Sequence, residues 1–413
     1  MRVSISSPNI APHTKQNAIA YCEGKHLNKF YTTIYTHPNN KISKFLLNIP
    51  FLGKEFNKRA FNDLPIKYFS SKPFLEIIRS ISARKFNSWL TDIIWHYSEL
   101  SFDKWVAAKI EKKEIDIIHT YEHCAYFTLE SAKKKGIYTI YEQLSQHHSF
   151  FTSIVNQQLA LYPELQTDDV NLLINQKAVR RNQRRDEELK LADVILCNSS
   201  FTKSTLVNAG IDEKKIKVIP LAFPKPTEKI KLKDKNASVK FLYAGNQSLR
   251  KGLHLLYKAW TECNFKNEDA ELWLIGKMEL PESLRNDLPG KTIIKNTIPH
   301  DELLKLYREA DVFVLPTLAD GFGMVITESM SQGTPVITTD HSAGPDLIEN
   351  GKNGWVIPAG DLAALVSLMK SIVNDSKNLN NISAAALKTA TQWQWTDYRS
   401  LLRSTIQNLY RSI

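Results

Sequence analysis

Apolar and polar positions along this chain fall into blocks that predict short buried strands separated by amphipathic helices. Residues 1–6 read as a short alternating strand and Ile115–His119 as a buried one. A helix closes between Lys133 and Gly136, and Ile137–Tyr141 is the next strand. Val194–Asn198 is another; Ser199 and Ser200 then cap a helix that stops at Gly210, and Lys217–Pro220 follows as a strand. The proline- and lysine-rich stretch 221–238, LAFPKPTEKIKLKDKNAS, interrupts this pattern and reads as a connection between domains. Beyond it Lys240–Ala244, Leu272–Gly276, Thr292–Lys295, Val312–Leu315 and Val336–Thr339 are strands of a second sheet, with a helix over 301–310. In residues 393–413, Trp395, Tyr398, Leu402, Ile406, Leu409 and Tyr410 recur at helical spacing, which predicts a helix with one face to bury. Strands alternating with helices imply parallel sheets covered by helices, an α/β architecture.

Length agrees with two sheets: 413 residues exceed one ordinary domain and suit two of about 200. A content of 43% hydrophobic and 23% charged residues is that of a soluble globular protein. No apolar run approaches the ~18 residues of a membrane helix, and the start, MRVSISSPNI, lacks the apolar core and cleavage pattern of a signal peptide. Cys22, Cys124, Cys197 and Cys263 form no CxxC pair and no zinc spacing, so a reducing cytoplasm is expected. Charge adds more. Residues 1–113 hold 18 Lys+Arg and 8 Asp+Glu, a net of +10 out of +11 for the whole chain. Within them, residues 41–61 (KISKFLLNIPFLGKEFNKRAF) interleave lysines with apolar side chains. That composition suits an anionic membrane surface at the inner face of a membrane or an anionic acceptor, and equally an ordinary helix with a wet basic face. No nucleic-acid-binding motif accompanies the charge, so nucleic acid is not expected as a partner.

The richest chemistry lies in Ala310–Pro358. A buried strand runs into Asp320-Gly321-Phe322-Gly323, which opens a short helix ending near Gly333, and Pro335–Thr339 follows as a strand. Glycines at Gly321 and Gly323 let a diphosphate approach the unpaired N–H groups at the helix start. Asp320 and Glu328 can accept charge-assisted hydrogen bonds from the hydroxyls of a sugar and a ribose. A nucleotide-sugar has that combination of groups; a plain strand–loop–helix with solvated acids has the same residues. Arg250-Lys251-Gly252 sits at the carboxyl end of the strand Lys240–Ala244, the edge where open α/β sheets bind ligands. Two adjacent cations there suit a diphosphate, or cap a turn. His119, His123 and Glu122 form a polar cluster at a strand end that lines a cleft or caps the sheet. Arg180, Arg181, Arg184 and Arg185, beside Asp186, Glu187 and Glu188, read as a solvated, salt-bridged helix face. Asp-x-Asp, Walker, dinucleotide GxGxxG and Gly-x-Ser-x-Gly signatures are absent.

Residues 190–360 resemble the retaining glycosyltransferases of family 4, with the Asp320, Gly321-Phe322-Gly323 and Glu328 spacing as the specific match. The resemblance implies a GT-B fold: two Rossmann-like domains facing across a cleft, residues 1–220 for the acceptor and 221–395 for the donor, with a helix at 396–413 returning to the first. It implies a metal-independent hexosyl transfer with no cofactor, from a nucleotide-sugar to a saccharide or lipid-linked acceptor, in polysaccharide or glycolipid assembly. Carried over residue by residue, it places Arg250 and Lys251 on the diphosphate, Gly321, Phe322, Gly323 and Met324 around the donor, and Glu328 on the ribose. The backbone at Ile298, before Pro299 and His300, would meet the nucleobase. Asp320 would orient the reacting sugar together with His147, with His148 in reserve. The chain departs from the family at Asp320 (usually Glu), at Asn246 (often a cation), and in the first loop. There Ala11-Pro12-His13-Thr14-Lys15 replaces a glycine pair, and His13, Thr14 or Lys15 would contribute through side chains. A nucleotide-sugar 2-epimerase on the same fold, or a degenerate non-catalytic binder, remains compatible with these residues.

Overall fold

The computed structural model describes residues 1–413 apart from 41, 42, 44–46, 49–52, 86, 87, 112, 113, 168, 169, 172, 173, 229–236, 286, 287, 412 and 413. Two wholly parallel sheets organise the chain. The first is β1 (Val3–Ser6), β2 (Leu27–Thr32), β3 (Phe69–Ser71), β4 (Ile117–Tyr121), β5 (Tyr138–Gln143), β6 (Val194–Cys197) and β7 (Ile216–Val218), in the order β3-β2-β1-β4-β5-β6-β7. The second is β8 (Val239–Ala244), β9 (Ala270–Ile275), β10 (Lys291–Lys295), β11 (Val312–Leu315), β12 (Val336–Thr339) and β13 (Gly354–Ile357), in the order β10-β9-β8-β11-β12-β13. The helices that matter below are α1 (Pro12–Glu23), α2 (Ser88–Ile110), α3 (Tyr126–Lys134), α4 (His148–Leu161), α5 (Gln176–Leu191), α6 (Ser200–Asn208), α7 (Leu253–Cys263), α8 (His300–Glu309), α9 (Met324–Ser331) and α10 (Trp395–Arg411).

In both sheets the order reverses beside the first strand, so β1/β4 and β8/β11 are switch points whose carboxyl ends open a crevice for ligands. All four residues of β1 are buried rather than alternating, because helices cover both faces of a parallel sheet. The strand expected at Ile115–His119 is displaced to Ile117–Tyr121, which carries its end to the crevice rim. β2 is not legible from alternation, since LNKFYT places half-buried Asn28 and Lys29 within it. The basic stretch 41–61 lies in large part outside the described residues. Among the described residues, no helix is long and apolar enough to cross a membrane.

Contacts between the halves run in both directions. The chain returns to the first sheet where the Trp393 indole N–H donates to the Pro220 carbonyl at 3.2 Å. From there α10 packs on α1, burying Tyr398, Leu402 and Ile406 in the core of the first sheet. Tyr398 Oη donates to Asn17 at 2.7 Å, and Arg399 and Arg403 both pair with Glu23. In the other direction, α4 leaves the first sheet and inserts Val155 into the core of the second. Gln158 there lies 2.9 Å from His254 on α7.

Candidate functional site

The C-terminal wall of the crevice is made by the loops after β8 and β11. Gly252 (φ +68°) lets them touch: a Cβ there would lie 1.9 Å from the Pro316 carbonyl oxygen. The loops are laced by Leu318 N–H to Arg250 O at 2.9 Å and by the Arg250 guanidinium to Ala319 O at 2.9 Å. This lacing carries the basic pair onto the acid. Lys251 Nζ bonds Asp320, and Arg250 Nη1 lies 3.7 Å from it. The reading of Asp320 as a freely solvated loop acid is therefore corrected, since its carboxylate is held by both cations. Burial alone would raise its pKa, but Lys251 and Arg250 hold it below the usual carboxylate range. Burial and the Arg250 charge push Lys251 down, against the pull of Asp320.

Gly321 also has a different job from the one its motif suggests. Its close neighbour is the N-terminal domain: an added Cβ would lie 1.9 Å from the Leu144 carbonyl oxygen. Its own carbonyl accepts from Ser199 and from Thr202 Oγ1 (3.1 Å). The glycine thus closes one domain on the other. Phe322 is buried, and Phe322 and Met324 pack into the N-terminal core. Gly323 (φ +80°) turns the chain into α9, whose first N–H groups face the loop. One turn on, Glu328 Oε2 is 3.5 Å from Tyr307 Oη of α8. Burial raises the Glu328 pKa, with His300 opposing. Ile298, half-buried, leads into α8 and packs against the C-terminal core. The site therefore joins the Ile298–His300 turn to Glu328 through α8. Asn246 donates to Glu279 at 2.8 Å and leaves the cation role to Arg250.

On the N-terminal side, a cavity of about 370 Å³ separates the walls, with Ser145, His148 and Arg185 facing Arg250, Asp320 and Gly321. His147 is not among its lining residues. Its Nδ1 accepts the Ser149 N–H (3.2 Å) and caps α4, while Nε2 lies 3.2 Å from Asp186. Burial and the neighbouring His148 push its pKa down to about 4. His148 Nε2 also meets Asp186, at 2.6 Å. Among the described residues, His147, His148 and Asp186 form the group whose ligand atoms lie close enough to hold a metal ion. The Nδ1 atom of His147 is engaged by Ser149 through its N–H at 3.2 Å and its Oγ at 2.7 Å.

His119, by contrast, caps the sheet: it is 0% exposed, 3.0 Å from Tyr21 Oη and 2.9 Å from Glu142. His13 and Thr14 of the first loop are likewise buried, and Lys15 lies over the Phe61 ring. The solvated-face reading of α5 is corrected as well. Arg185 is 9% and Glu188 0% exposed. Arg185 bonds Glu122 (2.8 Å) at the end of β4, Arg184 reaches Glu99 (3.3 Å) on α2, and Glu188 accepts the N–H groups of Ala125 and Tyr126 at the start of α3. Burial raises Glu188 and Glu99 to about 7 each.

Two parallel-sheet Rossmann-like domains, a crevice between switch points and a returning terminal helix make the GT-B architecture. Residues 224–389 match the family described as Glycosyl transferases group 1, and the second domain is a domain of that kind. The amylovoran biosynthesis glycosyltransferase AmsK of Erwinia amylovora is 26% identical over 223 residues, 51% of this chain and 55% of that protein. The capsular polysaccharide biosynthesis glycosyltransferase CapM of Staphylococcus aureus is 22% identical over 271 residues, 62% of this chain and 66% of that protein. The chain thus spans between about half and two thirds of these relatives. In structure it is similar to the sucrose-phosphate synthase of Thermosynechococcus elongatus (TM-score 0.62, 15% identity, 100% of both chains). It is similar also to HepE of Anabaena in complex with UDP and glucose (TM-score 0.59, 15% identity, 99% of this chain and 100% of that one).

Proposed function

We propose that this chain is a retaining glycosyltransferase that moves a hexose from a nucleotide-sugar to an acceptor hydroxyl, in polysaccharide or glycolipid assembly on the cytoplasmic side of a membrane. The observation that carries this reading is the cluster of Arg250, Lys251 and Asp320 at the paired switch points, one helix turn from Glu328. Residues 221–395 hold the donor, 1–220 the acceptor, and 396–413 tie the two together. The likeness to the biosynthetic glycosyltransferases AmsK and CapM, and to HepE in complex with UDP and glucose, supports the same assignment.

The ion pair gives the mechanism its first step. Without donor, Asp320 occupies the cations. A diphosphate competes for Lys251 and Arg250, and the freed Asp320 oxygens turn to the sugar hydroxyls. Ile298 meets the base through its backbone and Glu328 takes the ribose diol. As the glycosidic bond breaks, charge gathers on the leaving diphosphate, where Lys251, Arg250 and the α9 N–H groups stabilise it; preorganised charge of this kind is the largest catalytic contribution. The acceptor hydroxyl attacks the anomeric carbon from the same face and passes its proton to the leaving diphosphate oxygen. His148, directed by Asp186, stands at the cavity where that hydroxyl would lie, with His147 fixing the loop. No metal is required in this scheme.

The test is nucleoside diphosphate release and anomeric NMR of the product, in chelator. Release of nucleotide with retained anomeric configuration is expected. Restoration only by added Mg²⁺ or Mn²⁺ would overturn the metal-free mechanism, and conversion of the nucleotide-sugar without acceptor would establish the epimerase.

A further inference from the structure

We propose that the hollow between α2, α4 and α5 binds the terminal sugar of the acceptor, and that this sugar is an uncharged pyranose. The inference rests on the glycosyltransferase reading and names its second substrate. The hollow has a volume of about 340 Å³, within the range of small-ligand clefts, and is lined by Asp92, Trp95, Glu99, Phe151, Arg181 and Asn182. It opens into the interdomain cavity, sharing His123, His148, Phe151 and Arg185 with it. The hollow therefore adjoins the cavity that Asp320 and Gly321 line.

Trp95 supplies a platform. It is 47% exposed, although its side chain is fixed by Nε1 donating to Glu99 at 2.7 Å and by the Arg79 guanidinium 4.9 Å from the ring centroid. A large aromatic face held in place beside a cleft suits the C–H face of a pyranose. The polar groups decide the charge of the ligand. Arg181 pairs with Asp92, Arg184 with Glu99 at 3.3 Å, and Arg185 with Glu122 at 2.8 Å. A carboxylate or phosphate on the ligand would compete with Asp92, Glu99 or Glu122 for a guanidinium already paired with it. A hydroxyl would not, because it donates to a carboxylate oxygen and accepts from a guanidinium N–H at the same time. His96 and Arg185 line the hollow, and His96 Nδ1 and Arg185 Nε are buried without hydrogen-bond partners, the kind of atoms ligand hydroxyls satisfy. The imidazole beside them adds no charge at neutral pH, since burial and Arg185 push His123 down to about 4.

Saturation-transfer NMR of the full chain tests this, with methyl β-glucopyranoside, methyl β-galactopyranoside and their glycuronides as probes. Transfer to a neutral glycoside is expected, reduced at least about fivefold in Trp95→Ala and in Asn182→Ala, whose thermal midpoints and binding of UDP, GDP or ADP stay as in the parent. No transfer to either neutral glycoside, transfer unchanged in both variants, or stronger transfer to the glycuronides would overturn it. Absence of nucleotide binding with Trp95-dependent glycoside binding intact would overturn the transferase reading and leave the saccharide site in place.

Discussion

On the C-terminal wall of the crevice, the functional groups come from two short stretches, Arg250–Lys251 and Asp320–Glu328, each directly after a strand. On the N-terminal wall they come from β4, α2, α4, α5 and the loop after β5, so that residues as distant as Glu99 and Arg184 become partners only on folding. The first kind of site is written as a motif and the second as a network. The two also differ in what stands without ligand. The C-terminal wall keeps one acid shared by two cations, which a diphosphate can exchange. On the N-terminal wall Arg181, Arg184 and Arg185 are paired with Asp92, Glu99 and Glu122, an arrangement that favours neutral ligands.

The contrast is broken most forcefully at Arg185. Its removal leaves Glu122 without its charge partner in a buried setting, so Arg185→Ala should cost about 3–5 kcal/mol in urea unfolding. Exposed Arg180→Ala should stay within about 0.5 kcal/mol. Equal small effects would restore the solvated-face reading. Next in size is Lys251→Ala, which should lower kcat/KM roughly 10²–10³-fold by removing charge from the leaving diphosphate. Asp320→Asn sharpens the same point: it should bind nucleoside diphosphate more tightly in calorimetry while losing turnover, because the competing carboxylate is gone. Weaker diphosphate binding would mean that Asp320 does not occupy the cations in the free protein.

Gly321→Ala should be milder, about tenfold in kcat. The added Cβ forces the Asp320 loop away from Leu144 and loosens Phe322 from the N-terminal core, so small-angle scattering should show separation with a modest fall in thermal midpoint. The smallest effect concerns pH. Glu99 and Glu188 titrate near 7 in the folded chain, above their ordinary 4.5. The folded state then binds more protons between those values, so their contribution to stability falls as pH rises from about 4.5 to about 7. The thermal midpoint should decline between pH 5 and 8, less steeply in Glu99→Gln.

The same contrast explains what could be read in advance. Five of the six strands of the second sheet and the helix at the end of the chain were legible because local periodicity encodes them, whereas β13 was not. Trp395, Tyr398, Leu402, Ile406, Leu409 and Tyr410 all reach the N-terminal core. The burial of Arg184, Arg185 and Glu188 was not legible, because charge on a polar helix says nothing of carboxylates contributed by other elements. The role of Gly321 was half legible: the motif announced a close approach, and only the fold reveals that Leu144 makes it.

The central claim is that Asp320, the basic pair and Glu328 form a nucleotide-sugar site. A thermal-shift screen of the chain and of Glu328→Ala against UDP-, GDP- and ADP-sugars tests it directly. A shift selective for one nucleotide, diminished in Glu328→Ala, is the predicted result. No shift with any donor, or a shift that Glu328→Ala leaves unchanged, would contradict it.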